Sequence, residues 1–145
     1  SITGNSNTVD GDSSTVVGNN KKTTGTNATV MGDGNNISST DGNAIAIGQG
    51  NTITNGNASM AIGFGNKVDG NFSTAMGNGA QVKGDYSSAM GEGAQANGTS
   101  ATAVGAESKV NADHGTAIGV RSEVDVDGGA AVGDSSVSDR KAGAQ

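Results

Sequence analysis

The chain has no cysteine, no proline and no tryptophan, and its 145 residues include only three aromatics, Phe64, Phe72 and Tyr86. Lack of cysteine excludes disulfides and thiolate metal sites. Lack of large aromatic side chains argues against a conventional core, in which such residues supply much of the buried area. No apolar run approaches the roughly 20 residues that a membrane-spanning helix needs. No signal-peptide pattern opens the chain, which therefore reads as a mature protein or an excised segment. Eight basic residues, scattered, stand against fourteen acidic ones for a net charge of −6. That balance offers no cationic footprint for nucleic acid, so none is expected as a partner, and no membrane contact is expected either.

Glycine is abundant, with 26 copies, and Asn, Ser and Thr surround it. Such a composition favours disorder unless a repeat orders it. A repeat does. Marker glycines stand at Gly4, Gly18, Gly32, Gly48, Gly63, Gly77, Gly91, Gly105, Gly119 and Gly133, in steps of 14, 14, 16, 15 and then five of 14. The extra residues of the two longer steps fall near Asp41 and Asn55.

The columns of this repeat are regular. Immediately before the marker stand Val17, Met31, Ile47, Ile62, Met76, Met90, Val104, Ile118 and Val132. Two before it stand Val16 and Val30, then Ala46, Ala61, Ala75, Ala89, Ala103, Ala117 and Ala131. Thr, Ser or an apolar residue stands three before, and Ser, Ala or Gly four before; none of these positions is charged. Five after the marker runs a second apolar column from Val9 to Val124, broken by Thr23. Charge concentrates after the marker, in Lys67, Asp69, Lys83, Glu92, Glu107, Lys109, Arg121 and Glu123.

Glycine at this density excludes a helix, at about 1 kcal/mol each relative to Ala. Two short strands and two turns per period of fourteen predict an all-β parallel solenoid of about nine coils. Alternation along a strand sends successive residues to opposite faces, and both faces of the uncharged strand are fit for burial. One face therefore lines the solenoid and the other needs a partner surface. The Ile/Val/Met column is expected inside, and the Ala column close to a protomer boundary. A monomer with one drier side is the alternative.

These columns resemble the head repeats of YadA-like trimeric autotransporter adhesins, whose motif is Asn-Ser-Val-Ala-Ile-Gly-x-x-Ser. The copies here include NAIAIG (43–48), ASMAIG (58–63), GTAIG (115–119) and SATAVGAES (100–108). The final Ser of the motif is matched by Ser108, Ser122 and Ser136, with Asn or Ala elsewhere. The resemblance implies a left-handed parallel β-roll over residues 1–137, assembled as a homotrimer. Residues 138–145 would then be the start of a neck or an appended tail. It further implies display at the bacterial cell surface, through a stalk and outer-membrane anchor, with binding to host matrix (collagen, fibronectin or laminin) or to an epithelial cell receptor.

No enzyme is expected. His114 has no recurring partner that would complete a catalytic triad, and it reads as a turn residue. The Asp pairs near Asp10 and Asp125 lack the set spacing of a calcium loop. Recurrent Gly-x-Gly occupies one repeat position each time and reads as turn chemistry, not a dinucleotide fingerprint. No cofactor or metal is expected. Phe72, Tyr86 and His114 share a column five before the marker, so Phe72 and Tyr86 should stack on adjacent coils. With Phe64, rimmed by Lys67, Lys83 and Asp85, they form the candidate receptor patch; the longer loops near Asp41 and Asn55 come next. Ice binding by the column of Thr15, Thr29, Thr74, Thr102 and Thr116 is the alternative function, weakened by Ile45 and Met60 in the same column.

Overall fold

The computed structural model describes residues 1–39 and 42–140, so Asp41 and most of the 138–145 tail lie outside the described residues. The chain winds as a parallel β-solenoid of ten coils, each giving one short strand to each of two ten-stranded sheets. The first sheet runs from Ile2–Thr3 to Ala130–Val132 and holds the strands that precede the marker glycines. The second runs from Thr8–Asp10 to Val137–Ser138. Ten strands at about 4.8 Å spacing make a prism about 43 Å long.

Register follows the repeat. Ala75 pairs with Ala89 and Ala89 with Ala103. The longer steps keep it: Thr29 pairs with Ile45 and Ile45 with Met60. Their additional residues lie between a strand of the second sheet and the next strand of the first, where a longer loop leaves the ladder intact.

The inward face corrects the expectation from sequence. The Ala column is the core: Ala46, Ala61, Ala75, Ala89, Ala103 and Ala117 are all 0% exposed. The residues four before the marker join it, as do Ile37, Ile53, Val68, Val82, Val110 and Val124 from the second sheet. The Ile/Val/Met column points outward instead; Val17, Met31, Met90, Ile118 and Val132 are exposed. The interior is a thin slab. Ser87, Ala89, Ala94 and Ala96 fill the cross-section of one coil and are all buried, so a row of Ile or Met would not fit between the sheets.

Each marker glycine has φ between 108° and 142°, a region closed to side chains. A Cβ on Gly63 would lie 2.1 Å from the carbonyl oxygen of Gly77 on the next coil. The glycine column thus lets one coil settle onto the next.

Candidate binding surfaces

Polar side chains line one corner of the interior, three residues after most markers (Ala80 and Ala94 excepted), where the sequence had suggested only a loose position. Asn35, Asn51 and Asn66 are fully buried there. The Oδ1 of Asn35 accepts the N–H of Asn51, that of Asn51 accepts the N–H of Asn66, and that of Asn66 accepts the N–H of Ala80. Where the preceding coil carries no Asn, the N–H turns back to its own marker carbonyl, as in Ala94 to Gly91 and Ser108 to Gly105. The Oγ of Ser108 and of Ser122 then donates to Gly105 and Gly119. A serine ladder four before the marker does the same at the other corner. The Oγ of Ser59 accepts from Ser73 N–H, and Ser73 Oγ accepts from Ser87 N–H.

Lys21 breaks the asparagine row. It is 2% exposed, and its ammonium donates to the carbonyl of Val17, the bond that Asn35 makes to Met31. Burial pushes its pKa below the ordinary lysine value, and Asp33 partly offsets that.

The outer face of the first sheet is an uncharged surface. It combines the Ile/Val/Met column with the Thr/Ser column, and neither carries a charge over the described coils. Most of these side chains are half-buried or exposed, a strip about as long as the prism. A contiguous apolar strip of that kind marks an interaction surface. The second sheet carries Lys22, Lys67, Lys109 and Glu123 on its outer side and faces water. Glu107 and Arg121 occupy the corner two residues after the marker, at φ 58° and 56°.

The candidate patch residues divide between two edges. Phe64 ends the strand Met60–Phe64 at the corner where the chain leaves the first sheet, and Lys67 opens the next strand. Phe72, Lys83, Asp85 and Tyr86 lie at the opposite corner, where the chain returns. Six residues of strand, about 20 Å, separate the two corners. Phe64 therefore does not meet the other two aromatics.

Phe72 and Tyr86 do stack, with ring centroids 5.3 Å apart and planes 6° from parallel. They are 57% and 65% exposed. Both adopt left-handed backbone, φ 53° and 55°, as does every described residue of their row, including Ser100 and His114. Asn, Ser and Gly tolerate that conformation; a bulky side chain there costs about 1–2 kcal/mol. One aromatic pair returns about 0.5–1.5 kcal/mol, less than the two strained residues cost together. His114 is exposed, two coils beyond Tyr86. Asp85 has a structural task as well: its Oδ1 accepts the N–H of Asn71 on the preceding coil.

Among the described residues, no group of three or more His, Asp or Glu side chains is placed to hold a metal ion. No curated protein matches the chain. Residues 55–80, 83–108 and 96–122 match the family model for the YadA head domain repeat, each match spanning two copies. In the matched segments Ala faces in and Ile, Met or Val faces out, as they do in the unmatched coils of Ala46 and Ala131, and the marker glycine admits the next turn. That family supplies the heads of adhesin-type trimeric autotransporters, a structural and not an enzymatic family, exposed at the cell surface and anchored in the outer membrane. On this convergence of repeat, inward Ala column and family match, residues 55–80 and 83–122 carry YadA head domain repeats.

Proposed function

We propose that the chain is the head of a bacterial surface adhesin, assembled as a homotrimer with the outer faces of the three first sheets turned together. In this reading the solenoid is left-handed, and a stalk and an anchor carry it at the cell surface. It presents a rigid, threefold surface to host matrix proteins such as collagen, fibronectin or laminin, or to a cell receptor. Threefold display strengthens weak individual contacts through avidity.

The observation that carries the assembly is the uncharged outer face, where Val17, Met31, Met90, Ile118 and Val132 are exposed in the isolated chain. Three copies around an axis would bury all of them without burying any charge. The Ala column does not lie at a protomer boundary, contrary to the expectation from sequence, since Ala89 and Ala103 are 0% exposed within one chain. The Thr column lies on the same outward face, but Ile45, Met60 and Ser88 interrupt it and Ile, Met and Val flank it, so it offers no regular ice-matching ladder.

Met76→Glu with Met90→Glu tests the assembly. Sedimentation should show loss of the trimer with the β-rich circular dichroism retained at low temperature. Ala89→Glu, which puts a carboxylate inside the slab, should lose the fold itself. A Met76→Glu, Met90→Glu head that stays trimeric would overturn the assembly. Binding of the intact head to immobilised collagen, fibronectin and laminin, and to epithelial cells, tests the adhesive reading.

A further inference from the structure

Along the strained corner row the side chains run Ala58, Phe72, Tyr86, Ser100, His114. Phe72 backs Tyr86 at 5.3 Å. Beyond Tyr86 the row drops to a serine, and then rises again to the exposed His114. Successive coils are about 4.8 Å apart, so Tyr86 and His114 stand about 10 Å apart at the backbone. A planar group laid over Ser100 would sit about 5 Å from each, which is the spacing that Phe72 and Tyr86 already adopt.

The surroundings select the charge of that group. Asp85 and Asp113 immediately precede Tyr86 and His114, and both are exposed. Each accepts one backbone N–H, from Asn71 and Thr99, through Oδ1. The second oxygen of each makes no hydrogen bond among the described residues. Asp125 and Asp127 lie farther along the same edge, with Lys83 as the cation beside Asp85.

We propose that the slot over Ser100, between Tyr86 and His114, binds an arginine side chain of a protein partner. A guanidinium is flat, weakly hydrated and cationic. It stacks on an aromatic face and takes a carboxylate through two parallel N–H donors. A lysine ammonium meets the charge but not the plane, and a neutral ring meets the plane but not the charge. Three slots around a trimer would read arginines on an extended or repetitive partner. The inference rests on the adhesive reading only for the source of the arginine, an exposed segment of a host protein.

The chain supplies its own reporters: Tyr86 is the sole tyrosine, there is no tryptophan, and His114 is the sole histidine. The probe is the peptide acetyl-Gly-Arg-Gly-amide, compared with its lysine and citrulline counterparts. The arginine peptide should quench Tyr86 fluorescence and shift the His114 imidazole resonances saturably. The lysine and citrulline peptides should bind at least tenfold more weakly. Ser100→Tyr, which adds a third ring to the row, and Tyr86→Leu should each abolish the saturable shift of the His114 resonances, the reporter that both variants keep. Equal binding of arginine and citrulline peptides, arginine binding unchanged in Ser100→Tyr, or no movement of either reporter would overturn the slot. So would a Tyr86→Leu head that no longer forms trimers, because the corner would then be a contact between protomers. Adherence of the wild-type head to immobilised matrix separates the two ideas. A head that adheres but ignores the arginine peptide defeats the slot alone, and one that binds the peptide but adheres to nothing defeats the adhesive reading alone.

Discussion

Replacing Asn51 by Ala should destabilise the head by about 2 kcal/mol, although the side chain is small and touches no solvent. Its amide nitrogen donates to the Ile47 carbonyl at 3.1 Å, the Gly63 carbonyl at 2.9 Å and Asn35 Oδ1 at 3.0 Å, and its Oδ1 accepts the Asn66 N–H at 3.0 Å. Alanine removes all four bonds. Asn35 Oδ1 keeps the N–H of residue 51 and the Ile47 carbonyl keeps its place in the strand ladder, so the Gly63 carbonyl and the Asn66 N–H lose their partner. At about 1–3 kcal/mol per buried orphan, an unrelaxed site would lose about 4 kcal/mol. The C-terminal coils show how it relaxes, since Ala94 N–H reaches Gly91 at 3.3 Å and Ser108 N–H reaches Gly105 at 3.2 Å. If Asn66 N–H turns to Gly63 in the same way, the two orphans satisfy each other and only the side-chain bonds to Ile47 and Asn35 are lost without replacement. At about 1 kcal/mol net for each hydrogen bond, that leaves a loss of about 2 kcal/mol. The assay is urea unfolding at fixed protomer concentration, because assembly shifts apparent stability, joined to amide exchange. Protection of the surrounding coils should fall about thirtyfold, at 1.4 kcal/mol per factor of ten. A loss below about 0.5 kcal/mol would refute the claim that the asparagine row holds the coils together. A loss of about 4 kcal/mol would refute the relaxation.

Other outcomes follow from the same geometry. Lys21→Asn should stabilise the head by about 1–2 kcal/mol at neutral pH by completing the row. Because the folded state lowers the Lys21 pKa, the unfolded chain binds more protons between the folded and the ordinary value, and wild-type stability rises with pH there. The advantage of Lys21→Asn should therefore shrink as pH climbs toward the ordinary lysine value, and thermal melts across alkaline pH would show it. Gly63→Ala, with its Cβ 2.1 Å from a carbonyl oxygen, should cost at least about 3 kcal/mol. Gly79→Ala, at φ 71° with nothing within 4 Å, should cost about 1 kcal/mol; equal melting temperatures for the two would contradict the close-approach role. Excision of one coil, Lys83 to Ala96, should leave a folded head, since coils contribute roughly as neighbour terms; an aggregated product in light scattering would contradict this.

Much of the candidate surface was legible because the repeat carries it. Equal spacing of Phe72 and Tyr86 from their markers places them on adjacent coils at one corner, and their rings stack. The same rule misplaced Phe64 relative to them, because one residue after the marker is the opposite corner of the sheet. The buried asparagines went unread because the column mixes Asn, Lys, Ala and Ser. Its common property is a place beside backbone groups that need partners, and residue type alone does not display that.

Period, strand positions, parallel register and the glycine corners are determined by the sequence alone, since fourteen-residue spacing with uncharged columns leaves the chain little else to form. The choice of inward face was decided by the tertiary structure. Hydrophobicity ranks Ile, Met and Val above Ala for burial, and read as one chain the larger column belongs inside. The second sheet already sends Val and Ile into the narrow gap, as at Ile37, Ile53 and Val68, so the first sheet answers with Ala, or with Val at Val16 and Val30. The larger residues are thereby left on the outer face, where a flat neighbouring surface can cover them.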